Sequence, residues 1–160
     1  MDLISDLGAL AFGSRLKRMS ETIMRGGEEV YRYYGIDFQP KWFPLFYYLA
    51  QKGEAGIMEI AEGLHVTHPA VIQNAKELEK KGLIVSTKST EDARKRNLTL
   101  SEKGKELLPQ LQTIWQQIKE MNSELIDTRE HNILIALKEI EDVWEEKSFI
   151  ERFKTFHQLN

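Results

Sequence analysis

Between Ile57 and Leu100 the apolar repeat changes from helical to strand-like, and threonine, proline and glycine punctuate the changeovers. Ile57, Ile60, Ala61 and Leu64 recur at helical spacing and predict a short helix over 57–64. After a tight connection, Thr67 has the chemistry of an N-cap. Pro69 takes an early helical position, where a missing N–H costs little. Val71, Ala75 and Leu78 then share one face of a helix that runs to Lys81, and Gly82 ends it. Leu83–Lys88 and Asn97–Leu100 read as strands on either side of the charged loop Ser89–Arg96.

The flanks of this stretch are helical. Leu3, Leu7, Leu10, Ala11, Leu16, Met19 and Ile23 predict one amphipathic helix over 3–23. Gly26-Gly27 weakens its continuation, although Val30, Tyr31 and Tyr34 keep the phase as far as a cap at Gly35. A second helix begins near Pro40, carries Pro44 in its first turn and closes at Gly53. Ser101 opens a long helix in which Pro109 should bend the axis or mark the effective start. Thr128 is expected to cap a last helix whose apolar stripe, from Ile133 to Trp144, continues through Phe149 to Phe156. The fold class expected is mainly α with a small β-hairpin.

Composition narrows the function. A chain of 160 residues fits a single domain, and the absence of cysteine excludes disulfides, thiolate metal cages and thiol redox switches. The opening residues carry acids where a signal peptide needs cations, and no apolar run reaches a membrane span, so a soluble, cytoplasmic protein is expected. The net charge of -3 hides an uneven distribution. Residues 56–105 hold nine cations against seven acids, and 106–160 hold six against eleven. Arg94-Lys95-Arg96 is the only run of three consecutive cations. His65 and His68 lie near Glu62 but lack further ligands for a metal. No nucleophilic triad, phosphate-cradling loop or carboxylate pair points to an enzyme, and no cofactor is implied.

Two short helices, a tight turn and a hairpin form the layout of a winged helix-turn-helix. A helix fits the major groove of DNA and offers its first residues to base edges, while a cationic loop beside it reaches phosphates or the minor groove. The runs Ile57–Leu64, Val66–Val71 and Leu78–Ile84, with Asp92-Ala93-Arg94 and Leu98-Thr99-Leu100-Ser101-Glu102-Lys103-Gly104, resemble the MarR family of transcriptional regulators. The resemblance covers nearly the whole chain. It implies a winged helix-turn-helix part over 38–104 and a helical dimerisation part over 1–37 and 105–160.

On that resemblance, Thr67 caps the recognition helix and touches a phosphate, with Pro69 beside it, while His68 and Gln73 meet base edges. His68 stands where the family often has a longer cation, and Asn74 stands where it is more often apolar. Lys76 and Lys80 would hold phosphates. Arg94 would enter the minor groove, buttressed by Asp92, and Lys95 and Arg96 would add general attraction. A homodimer on double-stranded, pseudo-palindromic DNA is implied, acting as a repressor. Phe149, Ile150, Phe153 and Phe156 support the dimer independently, because one protomer has difficulty covering them; folding back onto its own core is the alternative. The family also implies a small aromatic or anionic effector, for which Trp42, Phe46 and Tyr47 are the nominees, with core packing as the competing role. A winged-helix adaptor that binds protein instead of DNA is the alternative function.

Overall fold

The computed structural model describes residues 1–88 and 96–159, and the expected DNA-contacting residues Arg94 and Lys95, with Asp92, lie outside that range. The chain divides into two compact units, Met1–Leu108 and Pro109–Asn160.

The first unit opens with α1 (Leu3–Asp6), a 3-10 turn (Gly8–Ala11) and α2 (Phe12–Tyr33). The single helix expected from Leu3 is thus interrupted. Gly8 has φ +54°, a left-handed backbone that no helix interior contains. Asp2 caps α1 and takes a two-pronged pair from Arg18 of α2, at 2.8 and 2.9 Å. In contrast, α2 runs straight through Gly26-Gly27. Gly27 is there for space: a Cβ would sit 2.8 Å from Pro40 Cγ. At its far end, Gly35 (φ +67°) donates to Arg32 O, and Ile36 donates back to Tyr31 O, so two of the last carbonyls are satisfied.

A 3-10 turn (Pro40–Trp42) leads into α3 (Phe43–Lys52), with Pro44 in its first turn. Phe38 stands edge-on to Tyr31, Trp42 and Phe46, with ring centroids 5.1, 5.6 and 5.4 Å away. These rings and Leu45, Leu49, Ile60, Val71 and Leu78 form the buried centre of the unit.

Next come β1 (Glu54–Gly56), α4 (Ile57–Gly63), α5 (His68–Lys80), β2 (Ile84–Lys88) and β3 (Arg96–Leu100). The sheet therefore has three antiparallel strands in the order β1-β3-β2, where the sequence suggested a two-stranded hairpin. Leu98 pairs with Ala55 on one side and Ser86 on the other. Glu54 Oε1 accepts from Asn97 Nδ2 (2.9 Å) and Thr87 Oγ1 (3.3 Å), which fixes the root of the wing. Ser101 then bridges sheet and helix. Its N–H donates to Leu83 O, its hydroxyl donates to Gly82 O, and the same hydroxyl accepts from Gly104 N.

The long helix α6 (Glu102–Asp127) starts well before Pro109, so the proline is not its beginning, although the boundary between the two units falls there. In the second unit, Thr128 closes α6 by donating to Glu124 O and does not open the next helix as expected. Asn132 caps α7 (Ile133–Glu146) instead, accepting from Leu134 N and Ile135 N. The last apolar segment is a separate helix, α8 (Phe149–Phe156), started by the reciprocal Ser148–Glu151 cap. Arg152 reaches back from α8 to Val143 O and Glu146. Neither α7 nor α8 has a buried residue, and Phe149 and Phe156 are 76% and 82% exposed.

Candidate nucleic-acid interface

Helix α5 has two faces of opposite character. Val71, Ala75 and Leu78 are buried, whereas Thr67, His68, Pro69, Gln73, Lys76 and Lys80 are exposed. Pro69, Gln73, Lys76 and Lys80 follow spacings of four, three and four, so they form one stripe along the helix. Thr67 does cap the helix, with Oγ1 accepting from Ala70 N at 3.4 Å, and Pro69 is in the first turn. Gly82 (φ +71°) ends α5: it donates to Glu79 O, and Leu83 donates to Leu78 O. Arg96 is exposed at the start of β3, in register with Lys88.

The turn that positions α5 uses the same device with a less usual residue. His65 has φ +51°, donates to Glu62 O, and is followed by Val66 N donating to Ala61 O. Its place beside Glu62 is thus accounted for by the turn. Among the described residues no group of three or more potential ligands could hold a metal ion.

Glu77 is the centre of this helix's polar contacts, and sequence reasoning missed it. Its carboxylate pairs with Lys41 Nζ (2.6 Å) and accepts from Trp42 Nε1 (2.8 Å) and Gln73 Nε2 (2.9 Å). Asn74, half-buried next to it, donates to Lys41 O. The four groups tie the inner edge of α5 to the 40–42 turn. The i,i+4 spacing of Gln73 and Glu77 is visible in the sequence, but the distant partners Lys41 and Trp42 are not. Lys81 pairs with Asp37 and is thereby drawn from the outer face. Among the described residues Lys76 and Lys80 have no ion-pair partner.

The Lys41 ammonium, followed by the Trp42 and Gln73 donors, lowers the Glu77 carboxyl from an ordinary 4.5 to about 2. Its contribution to stability is therefore complete above pH 4.5 and disappears as the pH falls toward 2. Glu77→Gln is expected to lower the urea midpoint at pH 7, with the gap to the unsubstituted protein closing across that acidic window. A gap independent of pH would show that the carboxylate charge is not what matters.

The three rings nominated for an effector are not brought to one surface. Trp42 is 1% exposed and Phe46 is fully buried, so both belong to the core, while Tyr47 is 43% exposed and lies against Phe43. An open groove of about 390 Å³ beside Gly35–Gln39 is lined partly by Glu28, Arg32 and Asp37, and by none of the three.

Residues 34–95 match the model of the MarR family. None of the curated proteins matches the chain in sequence. Among solved structures, the overoxidized AbfR bound to DNA is 14% identical at TM-score 0.67, covering 91% of this chain and 98% of its own. The transcriptional regulator MosR of M. tuberculosis, in complex with DNA, is 15% identical at TM-score 0.66, covering 83% and 92%. YusO from Bacillus subtilis is 23% identical at TM-score 0.52, covering 91% and 96%. At these identities the likeness is one of fold. Residues 34–95 are thus similar to the MarR family, within a mainly helical fold that carries a three-stranded antiparallel sheet.

Proposed function

We propose that this protein is a sequence-specific, double-stranded-DNA-binding transcriptional regulator that places α5 in the major groove. The observation that carries the reading is the two-faced helix: Thr67, His68, Gln73, Lys76 and Lys80 are exposed, above an anchor of buried Val71, Ala75 and Leu78. Thr67, Lys76 and Lys80 supply phosphate contacts, Pro69 lies beside the DNA in the first turn, His68 and Gln73 face the bases, and Arg94, Lys95 and Arg96 add cationic contacts. Two of the solved proteins of the same fold are described as bound to DNA, which supports the same use here.

The active form is a homodimer on a pseudo-palindrome, acting as a repressor by occupying promoter DNA. The exposed apolar residues of α7 and α8 give the pairing surface its driving force. A small effector, if it acts near α3, meets Tyr47 first, and it releases DNA only by binding one arrangement of the two reading helices more tightly.

Selection of duplexes from a random pool tests this. A symmetric site should emerge, bound by two chains, with affinity dropping steeply from about 50 to about 200 mM salt. Arg94→Ala should weaken that binding about tenfold. Failure to select any duplex at low salt would leave the protein-binding adaptor as the function.

A further inference from the structure

We infer that Glu77 is a specificity-determining positioning residue, which holds the Gln73 amide in one orientation and so makes α5 prefer adenine over guanine at the base beneath it. The inference rests on the DNA-binding reading and concerns how that same surface discriminates. Gln73 is exposed on the outward stripe, and its Nε2 donates to Glu77 Oε1 at 2.9 Å. A glutamine amide can ordinarily turn end for end, exchanging donor and acceptor at little cost. Here it cannot. The reversed amide would place its own oxygen against a carboxylate oxygen, and the two would repel.

Glu77 is itself immobilised. Its other oxygen, Oε2, lies 2.6 Å from Lys41 Nζ and accepts from Trp42 Nε1 at 2.8 Å, and Trp42 is buried. The orientation imposed on Gln73 is therefore anchored in the core of the unit. Once one amide proton is committed to Glu77, the outward edge of Gln73 offers one acceptor, Oε1, beside one remaining proton. Among the described residues nothing donates to that Oε1.

An acceptor next to a donor matches the major-groove edge of adenine, which presents the N6 amino group beside N7. Guanine presents two acceptors there, O6 and N7, and satisfying both would need the two amide protons together. With one proton held by Glu77, guanine would set its O6 against Gln73 Oε1. The discrimination is made by a residue that never touches the base.

The test compares bound pools for the unsubstituted protein, Glu77→Gln, Gln73→Ala and the double variant, with circular dichroism to check folding. The unsubstituted protein should select adenine over guanine about tenfold at one position in each half-site, in the range of a single bidentate contact. Glu77→Gln, whose amide can face Gln73 with either end, should bring that ratio to about twofold or less while still binding duplexes of the same symmetry. Gln73→Ala should abolish the preference, and adding Glu77→Gln to it should change nothing more at that position. An unchanged ratio in Glu77→Gln overturns the inference, and so does an adenine preference that survives Gln73→Ala. A further shift in the double variant would mean that Glu77 acts through helix placement, which also overturns it. If Glu77→Gln does not fold, the outcome of Gln73→Ala decides. No bound duplex for the unsubstituted protein would instead remove the DNA-binding reading, and this inference with it.

Discussion

Replacing Gly104 with alanine is expected to cost more than about 3 kcal/mol of stability, the upper end of overpacking penalties. A Cβ at that position would lie 2.1 Å from the Leu83 carbonyl oxygen, well inside contact distance, and the obstacle is backbone. The Leu83 carbonyl cannot move freely, because it accepts from Ser101 N at 3.1 Å while Ser101 also bonds Gly82 O and Gly104 N. Relief would have to separate the start of α6 from the start of β2. For a chain of this size each kcal/mol moves the melting temperature by about 2–4 °C, so a drop of at least about 6 °C should appear in thermal melts. Gly26→Ala is the control. Nothing lies within 4 Å of a Cβ there, in the middle of α2, and the change should stabilise by up to about 1 kcal/mol. Equal melting temperatures for the two variants would show that helix α6 can shift at its first turn without penalty.

Trp42→Ala should be about as damaging, at roughly 3–5 kcal/mol for removal of a large buried aromatic. Trp42 is 1% exposed, stands edge-on to Phe38 at 5.6 Å and donates its indole N–H to Glu77. The substitution opens a cavity and removes a donor from a carboxylate that is only partly exposed. Tyr47→Ala, five residues further on and at the surface, should cost about 1 kcal/mol or less. Urea titrations of both variants measure the contrast directly. Similar midpoints would mean that Trp42 is not the core residue its burial indicates, and would return it to the list of effector contacts.

The helix-turn-helix was legible because its boundaries are set locally. Thr67, Pro69, Gly82 and Gly35 announce their roles through side-chain oxygen, fixed φ or tolerance of positive φ, none of which needs a distant partner. The strand β1 was not legible. Glu54-Ala55-Gly56 has little intrinsic strand preference and is extended because β3 offers it a free edge. The choice between Thr128 and Asn132 as a cap also escaped, since both have the right chemistry and only the end of α6 decides between them. The outward stripe of α5 could be read from its period. Its inner fastening could not, because Lys41 and Trp42 reach Glu77 only after the chain has folded back on itself.

The left-handed backbone at His65 carries a consequence for stiffness. Glycine would adopt that conformation without steric cost, whereas a side chain adds about 1–2 kcal/mol and leaves the joint fewer alternatives. With histidine there, the angle between α4 and α5 resists bending. His65→Gly would therefore yield a sturdier but looser-jointed molecule, in which α5 samples more than one tilt against α4.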